Sequence, residues 1–262
     1  MRFRPCIDLH QGVVKQIVGS TLSDDDAPHT NFAAQKPPAH FARLYARDKL
    51  EGGHVIMLGP GNEEAASAAL AAYPGGLHLG GGMNPDNAAR WLERGAGAII
   101  VTSFVFGDGR LHRDNLEEMV RSIGRERLIL DLSCARRDGR YVVATNRWQQ
   151  FTDFEIQQEN LEFLAAYCSE FLIHATEMEG KQQGIDAELV QLLGAIAPLP
   201  TTYAGGISNL EDIETIAHLG QERLDFTVGS ALDLFGGAGL RYQSLVAFNQ
   251  RQPASDFPSN RS

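Results

Sequence analysis

The sequence predicts an α/β fold, a single (β/α)8 TIM barrel built from two duplicated half-barrels. Apolar strand-like runs alternate with helix-forming stretches along nearly the whole chain, the pattern of a parallel sheet joined by crossover helices. A length of 262 residues suits one such barrel, which takes about 250. The third observation is self-similarity. Cys6-Ile7-Asp8-Leu9 has a counterpart in Ile129-Leu130-Asp131-Leu132, displaced by 131 − 8 = 123 residues. Leu79-Gly80-Gly81-Gly82-Met83 matches Tyr203-Ala204-Gly205-Gly206-Ile207 at 205 − 81 = 124, and Val101-Thr102-Ser103 matches Val228-Gly229-Ser230 at 230 − 103 = 127. A repeat on this scale fixes architecture before any local assignment does.

The elements follow in order. The first strand is the apolar run that carries Asp8 at its tip and ends in the turn His10-Gln11-Gly12. Gln11 to about Pro38 is a long polar connection; loops of this length are uncommon unless functional, so it reads as an active-site flap carrying Lys15. Its acidic tip, Asp24 to Asp26, reads as solvated charge. Helix is expected over Phe41 to Asp48, strand over His54 to Leu58, and helix over the Ala-rich Glu63 to Ala72. Leu77 to Leu79 and Ala98 to Val101 are strands, followed by helices near Asn87 to Arg94 and Asp114 to Ile123. In the second half, Arg127 to Asp131, Phe171 to His174, Thr201 to Ala204 and Asp225 to Val228 are strands. Helices are expected near Asn160 to Cys168, Ala187 to Ile196, Leu210 to Leu219 and Leu240 to Phe248. Arg137 to Trp148 reads as an inserted hairpin turning at Asp138-Gly139. Residues 1–250 form the single barrel, and Arg251 to Ser262 a flexible C-terminal tail.

Bulk properties narrow the function. A net charge of −10 argues against nucleic acid as a partner, whereas backbone amides and helix termini can bind a small anion whatever the overall charge. Three cysteines without CxxC spacing point to reduced thiols in a cytoplasmic setting, and Cys6 and Cys134 read as small buried hydrophobes. No apolar run is long enough to span a membrane, and the first strand starts too early to leave room for a leader peptide. HExxH, P-loop and dinucleotide fingerprints are absent, so neither metal nor cofactor is expected.

Chemistry is expected on the loops at the C-terminal ends of the barrel strands. Glycines after a strand and before a helix let backbone N–H groups approach a phosphate. The duplicated glycine runs, each with a hydroxyl-bearing partner, therefore predict two phosphate sites: Gly81, Gly82, Thr102 and Ser103 on one side, Gly205, Gly206, Gly229 and Ser230 on the other. A substrate with a phosphate at each end would place its reacting centre between Asp8 and Asp131. Two opposed carboxylates in a closed site can be driven to different pKa values, one acting as general base and the other as general acid. Either Asp taken singly would read as a helix cap or a loop hydrogen bond.

The motifs CIDLHQG, LGGGMN, VTSFVF, LDLSC, NRWQQFTD, FLIHATEMEG, YAGGIS and VGSALDLFGG occur in this order over nearly the whole chain. The sequence resembles the phosphoribosylformimino-5-aminoimidazole carboxamide ribotide isomerases of histidine biosynthesis, in their eukaryote-type branch. The resemblance implies a cofactor-free Amadori rearrangement of an aminoaldose to an aminoketose. It implies Asp8 as the base that takes the proton from the sugar carbon, Asp131 as the acid that assists ring opening, and Thr176 as a further catalytic residue. It further implies that Trp148 stacks on the imidazole, although a Trp in a hairpin is more often ordinary packing. Asn84 and the Leu58-Gly59-Pro60 turn depart from the bacterial pattern and agree with the eukaryote-type one. The partner expected is a small bisphosphorylated molecule, bound by a monomer with no nucleic acid and no membrane.

Two rivals and one side activity remain at this point. The cyclase subunit of imidazole glycerol phosphate synthase shares the duplicated barrel, but its second motif usually runs Asp-Ala-Lys where this chain has Asp131-Leu132-Ser133. A phosphoribosylanthranilate isomerase normally uses a Cys as base, and Cys6 lies two residues before Asp8. A barrel that only binds phosphosugars shares the fold, since function lives in the site and not in the architecture.

Overall fold

The computed structural model of the chain describes residues 1–17, 30–146 and 148–252. Eight parallel strands form the barrel: β1 (Cys6–His10), β4 (Gly53–Met57), β5 (Leu77–Gly80), β6 (Ile99–Val101), β9 (Leu128–Asp131), β13 (Glu170–His174), β14 (Thr201–Ala204) and β15 (Leu224–Phe226), hydrogen-bonded in that order. The ring closes between its ends, where Phe3 bridges Phe226 and the Arg4 N–H donates to the Phe226 carbonyl at 2.8 Å. Among the described residues, eight helices surround it: α1 (Pro38–Arg47), α2 (Glu63–Ala72), α3 (Pro85–Glu93), α4 (Arg113–Ile123), α5 (Gln158–Ala165), α6 (Ala187–Ile196), α7 (Leu210–Leu219) and α8 (Tyr242–Arg251).

Strand parity divides the core. Along β6, Ile99 and Val101 join the large cluster between sheet and helices, whereas Ile100 joins Ala98, Ile129, Leu172, Ala204 and Ile56 inside the barrel. The duplication extends to the caps. Asn84 and Asn209 each follow a glycine pair, and each closes a capping box on its helix, α3 and α7. The turn-to-helix geometry of the two cradles is thus the same local structure made twice.

Additional strands decorate the C-terminal mouth. The connection expected as an irregular flap contains β2 (Val13–Ile17) and β3 (Thr30–Ala33), an antiparallel pair in which Lys15 faces Ala33 and β2 also pairs with β1. Val13, Val14 and Ile17 explain the difference, because β-branched residues favour a strand and Val14 and Ile17 are buried in it. The Asp24 to Asp26 tip lies outside the described residues, as does the tail from 253 onward; Arg251 itself is the last residue of α8. The expected inserted hairpin is three strands, β10 (Cys134–Arg137), β11 (Arg140–Thr145) and β12 (Gln150–Glu155). Asp138 and Gly139 form its turn, both at positive φ (49° and 79°). A short ribbon, β7 (Phe106–Gly107) with β8 (Arg110–Leu111), completes the mouth.

At the opposite end, an ion cluster plugs the barrel. Arg4 meets Asp225 at 2.7 Å and Glu170 at 3.9 Å, and Glu170 accepts from the Thr202 hydroxyl at 3.2 Å. All of these side chains lie away from the mouth, so the two ends of the barrel have separate polar machinery.

Candidate active site

Asp8 sits near the tip of β1 and Asp131 at the end of β9, four places apart in a ring of eight, and both line one cavity at the C-terminal mouth. Position in the ring explains the convergence: Asp8 is level with Ile56 and Asp131 with Leu172, residues that parity turns to the barrel interior. The cavity wall also includes Gln16, His54, Trp148, His174, Glu179, Gly205, Gly206, Gly229 and Ser230.

Each carboxylate has its own setting. Asp8 Oδ2 accepts from Gln16 Nε2 at 3.0 Å. Burial raises the Asp8 carboxyl to about 7; Glu179 pushes the same way, while His174 and the Gln16 bond pull against it. Asp131 Oδ1 accepts from the Ser133 N–H at 2.9 Å and the Ser133 hydroxyl at 2.8 Å, and lies 3.3 Å from His174 Nδ1. Burial works against charge on His174, but Asp131, Glu179 and Asp8 outweigh it and lift the imidazole to about 9. Glu179 is raised by burial, against the pull of His174. His54 is driven down to about 3 by burial and by the neighbouring His174 charge. Among the described residues that line the cavity, His174 is the cation that faces the carboxyl groups of Asp8, Asp131 and Glu179.

Trp148 packs its ring 6.2 Å from that of His174, and its backbone occupies the left-handed region at φ +66°. A bulky residue held there reflects a backbone over-determined by its surroundings, an arrangement that clusters at ligand sites. The hairpin and the loop after β13 meet above the cavity: Asn31 Nδ2 donates to the Gly180 carbonyl at 3.1 Å, and Gln182 Nε2 to the Ser230 carbonyl at 3.0 Å.

The remaining expected residues fall in two groups. Gly205, Gly206, Gly229 and Ser230 are in the cavity wall with Asp8 and Asp131. Gly81, Gly82, Thr102 and Ser103 follow β5 and β6 at the same mouth but outside that wall. Lys15 also lies outside it, its Nζ 3.0 Å from His10 Nδ1. Adjacent strand residues face opposite ways, so β2 turns Gln16 inward and Lys15 outward. The Thr176 hydroxyl is buried and donates to the Cys134 carbonyl at 3.1 Å. Gln16, His174 and Glu179 were not singled out from the sequence. Their only signal was position, one residue beyond Lys15 for Gln16 and the polar ends of the FLIHATEMEG run for the other two.

The family description "Histidine biosynthesis protein" matches residues 2–237. The chain belongs to this histidine biosynthesis family. Its members include a chloroplastic protein of Medicago truncatula, 51% identical over 97% of this chain and 84% of its own, and a Neurospora crassa protein, also 51% identical, over 96% and 99%. A Saccharomyces cerevisiae protein is 41% identical over 96% and 99%. All three are named 1-(5-phosphoribosyl)-5-((5-phosphoribosylamino)methylideneamino) imidazole-4-carboxamide isomerases. Family membership accounts for the closed barrel as well as for the order of its motifs.

Proposed function

We propose that this chain is the aldose–ketose isomerase of histidine biosynthesis, converting the bisphosphorylated aminoaldose to its aminoketose by an Amadori rearrangement. The observation that carries the reading is the pair of opposed carboxylates on one cavity, in a chain about half identical over nearly its full length to isomerases so named. An Amadori rearrangement needs a proton delivered to the ring oxygen as the ring opens, and a proton removed from the adjacent carbon. Asp8, lifted to about 7, is a stronger base than an ordinary carboxylate at neutral pH and suits the second task. Asp131, held beside the protonated His174, suits the first. The glycine turns after β14 and β15 would bind one phosphate, and those after β5 and β6 the other, with Trp148 stacking on the imidazole. Lys15 and Thr176 are proposed to contribute from outside the cavity wall. The reaction as written uses no cofactor.

The three cysteines are free and buried, in keeping with a reducing compartment, and we read the enzyme as a cytoplasmic monomer whose partner is its small-molecule substrate, with no nucleic acid. No helix among the described residues is long and apolar enough to cross a membrane. The test is to incubate the purified chain with the aminoaldose and follow the change in absorbance. Turnover by the wild type that disappears in Asp8→Asn supports the reading. A wild type as inert as Asp8→Asn, with phosphate still bound, would mean a phosphosugar-binding barrel instead.

A further inference from the structure

Asp131 is presented to the cavity as half of a pair. Its strand β9 lies beside β13, and the register that sets Asp131 opposite Leu172 brings His174 alongside the carboxylate. All three donors to Asp131, the Ser133 N–H, the Ser133 hydroxyl and His174 Nδ1, fall on Oδ1; Oδ2 takes none from the described residues. Around the imidazole stand Asp131 from β9, Asp8 from β1 and Glu179 from the loop after β13. From β4 comes His54, its ring centroid 6.3 Å away, and Trp148 covers another side. Three acidic groups converge on one ring that also lines the cavity.

We propose that His174 is a positioning residue for the acid half of the reaction, holding a proton against Asp131 so that the Asp131–His174 pair, and not Asp131 alone, is the unit that protonates the ring oxygen. The inference rests on the isomerase reading above. The pair begins with one proton, as imidazolium and carboxylate. When the bond between the anomeric carbon and the ring oxygen breaks, its electrons go to that oxygen and the nitrogen lone pair forms the C=N bond. One proton passes from the pair through Asp131 to the oxygen, leaving neutral imidazole beside carboxylate. Asp8 then takes the proton from the adjacent carbon and returns it to the former anomeric carbon. The enol hydroxyl proton goes back to the pair, so no proton is gained or lost over the cycle. The elevation of His174 to about 9 agrees with an imidazole that is charged at neutral pH.

Two measurements test this. In the full-length chain labelled with 15N-histidine and without substrate, His174 should titrate above neutrality, and Asp131→Asn should lower its midpoint by at least about one pH unit. In kinetics, wild-type kcat should fall on the alkaline side as the pair loses its proton. His174→Gln, which can donate a hydrogen bond but cannot titrate, should lose that limb and about 10- to 100-fold in kcat, with KM within about threefold. Imidazole added to His174→Gly should restore part of the rate. A His174 that titrates below neutrality, or a His174→Gln enzyme with wild-type kcat and an unchanged alkaline limb, overturns the proposal. Absence of turnover in the wild type removes the isomerase reading instead, while the 15N titration still decides whether the pair holds a proton.

Discussion

Gln16 donates from Nε2 to Asp8 Oδ2 at 3.0 Å, across the turn that joins β1 to β2, and a Cβ placed on Gly229 would overlap the same Gln16 amide at its oxygen. One buried amide therefore ties the expected base to the loop expected to hold a phosphate. The bond favours ionised Asp8, so Gln16→Met should raise the Asp8 carboxyl still further. The acidic limb of kcat/KM then moves to higher pH, by roughly one unit. A pH–rate profile that superimposes on the wild type would show that the bond does not orient the base.

Asp8→Asn should lower kcat by about 10²- to 10⁴-fold, and Asp131→Asn should do the same. The Asp8 variant should also be the more stable protein at alkaline pH. The Asp8 carboxyl stands at about 7 in the fold against an ordinary 3.8. Between those values the folded state binds more protons than the unfolded one, so wild-type stability falls as pH rises through that window. Asn carries no such penalty, and its advantage should grow from near zero at about pH 4 to roughly 4 kcal/mol above pH 7. Urea unfolding at both pH values measures it.

Gly82 and Gly206 are equivalent under the repeat (206 − 82 = 124) and share a positive φ, 69° and 75°. Their surroundings differ: a Cβ on Gly82 meets nothing within 4 Å, whereas one on Gly206 would overlap the Gly184 carbonyl oxygen. Gly82→Ala should cost only the backbone strain, about 1 to 2 kcal/mol. Gly206→Ala must also displace the loop that carries Glu179, and should raise KM by more than about tenfold in addition to lowering the melting temperature. Steady-state kinetics and thermal melts of the two variants separate the effects.

Arg4→Met probes the far end of the barrel. It leaves buried Glu170 and half-buried Asp225 without their cation, at a cost of about 3 to 5 kcal/mol. Because the cluster lies away from the cavity, kcat and KM at a permissive temperature should stay within about twofold of wild type.

The eight barrel strands and eight helices could be read from the chain because each is a buried apolar run or an amphipathic stretch with local start and stop signals; α2, α6, α7 and β14 agree to the residue. The decorations were harder. The arms of β2 and β3 lie twelve residues apart in sequence and their pairing is visible only in the fold, and β12 follows the reversal at Asn146 (φ +49°), where nothing local announces a third strand. Asp8 and Asp131 were visible because they recur. His174 and Glu179 occur once, and their relation to Asp131 is made by adjacent strands whose residues lie 43 positions apart. Choosing between Lys15 and Gln16 required the parity of a strand that the sequence presented as a loop.

The seam of the ring joins residues from the two ends of the chain. Phe3 bridges Phe226, and its backbone N–H and carbonyl are both clamped by the Asn249 side chain at 2.8 Å. A ribosome thus releases Asp8 well before Phe226 and Asn249, the partners that lock its strand. The nascent polypeptide emerges with an open edge at β1, and the mouth is complete only once β15 and α8 have followed it.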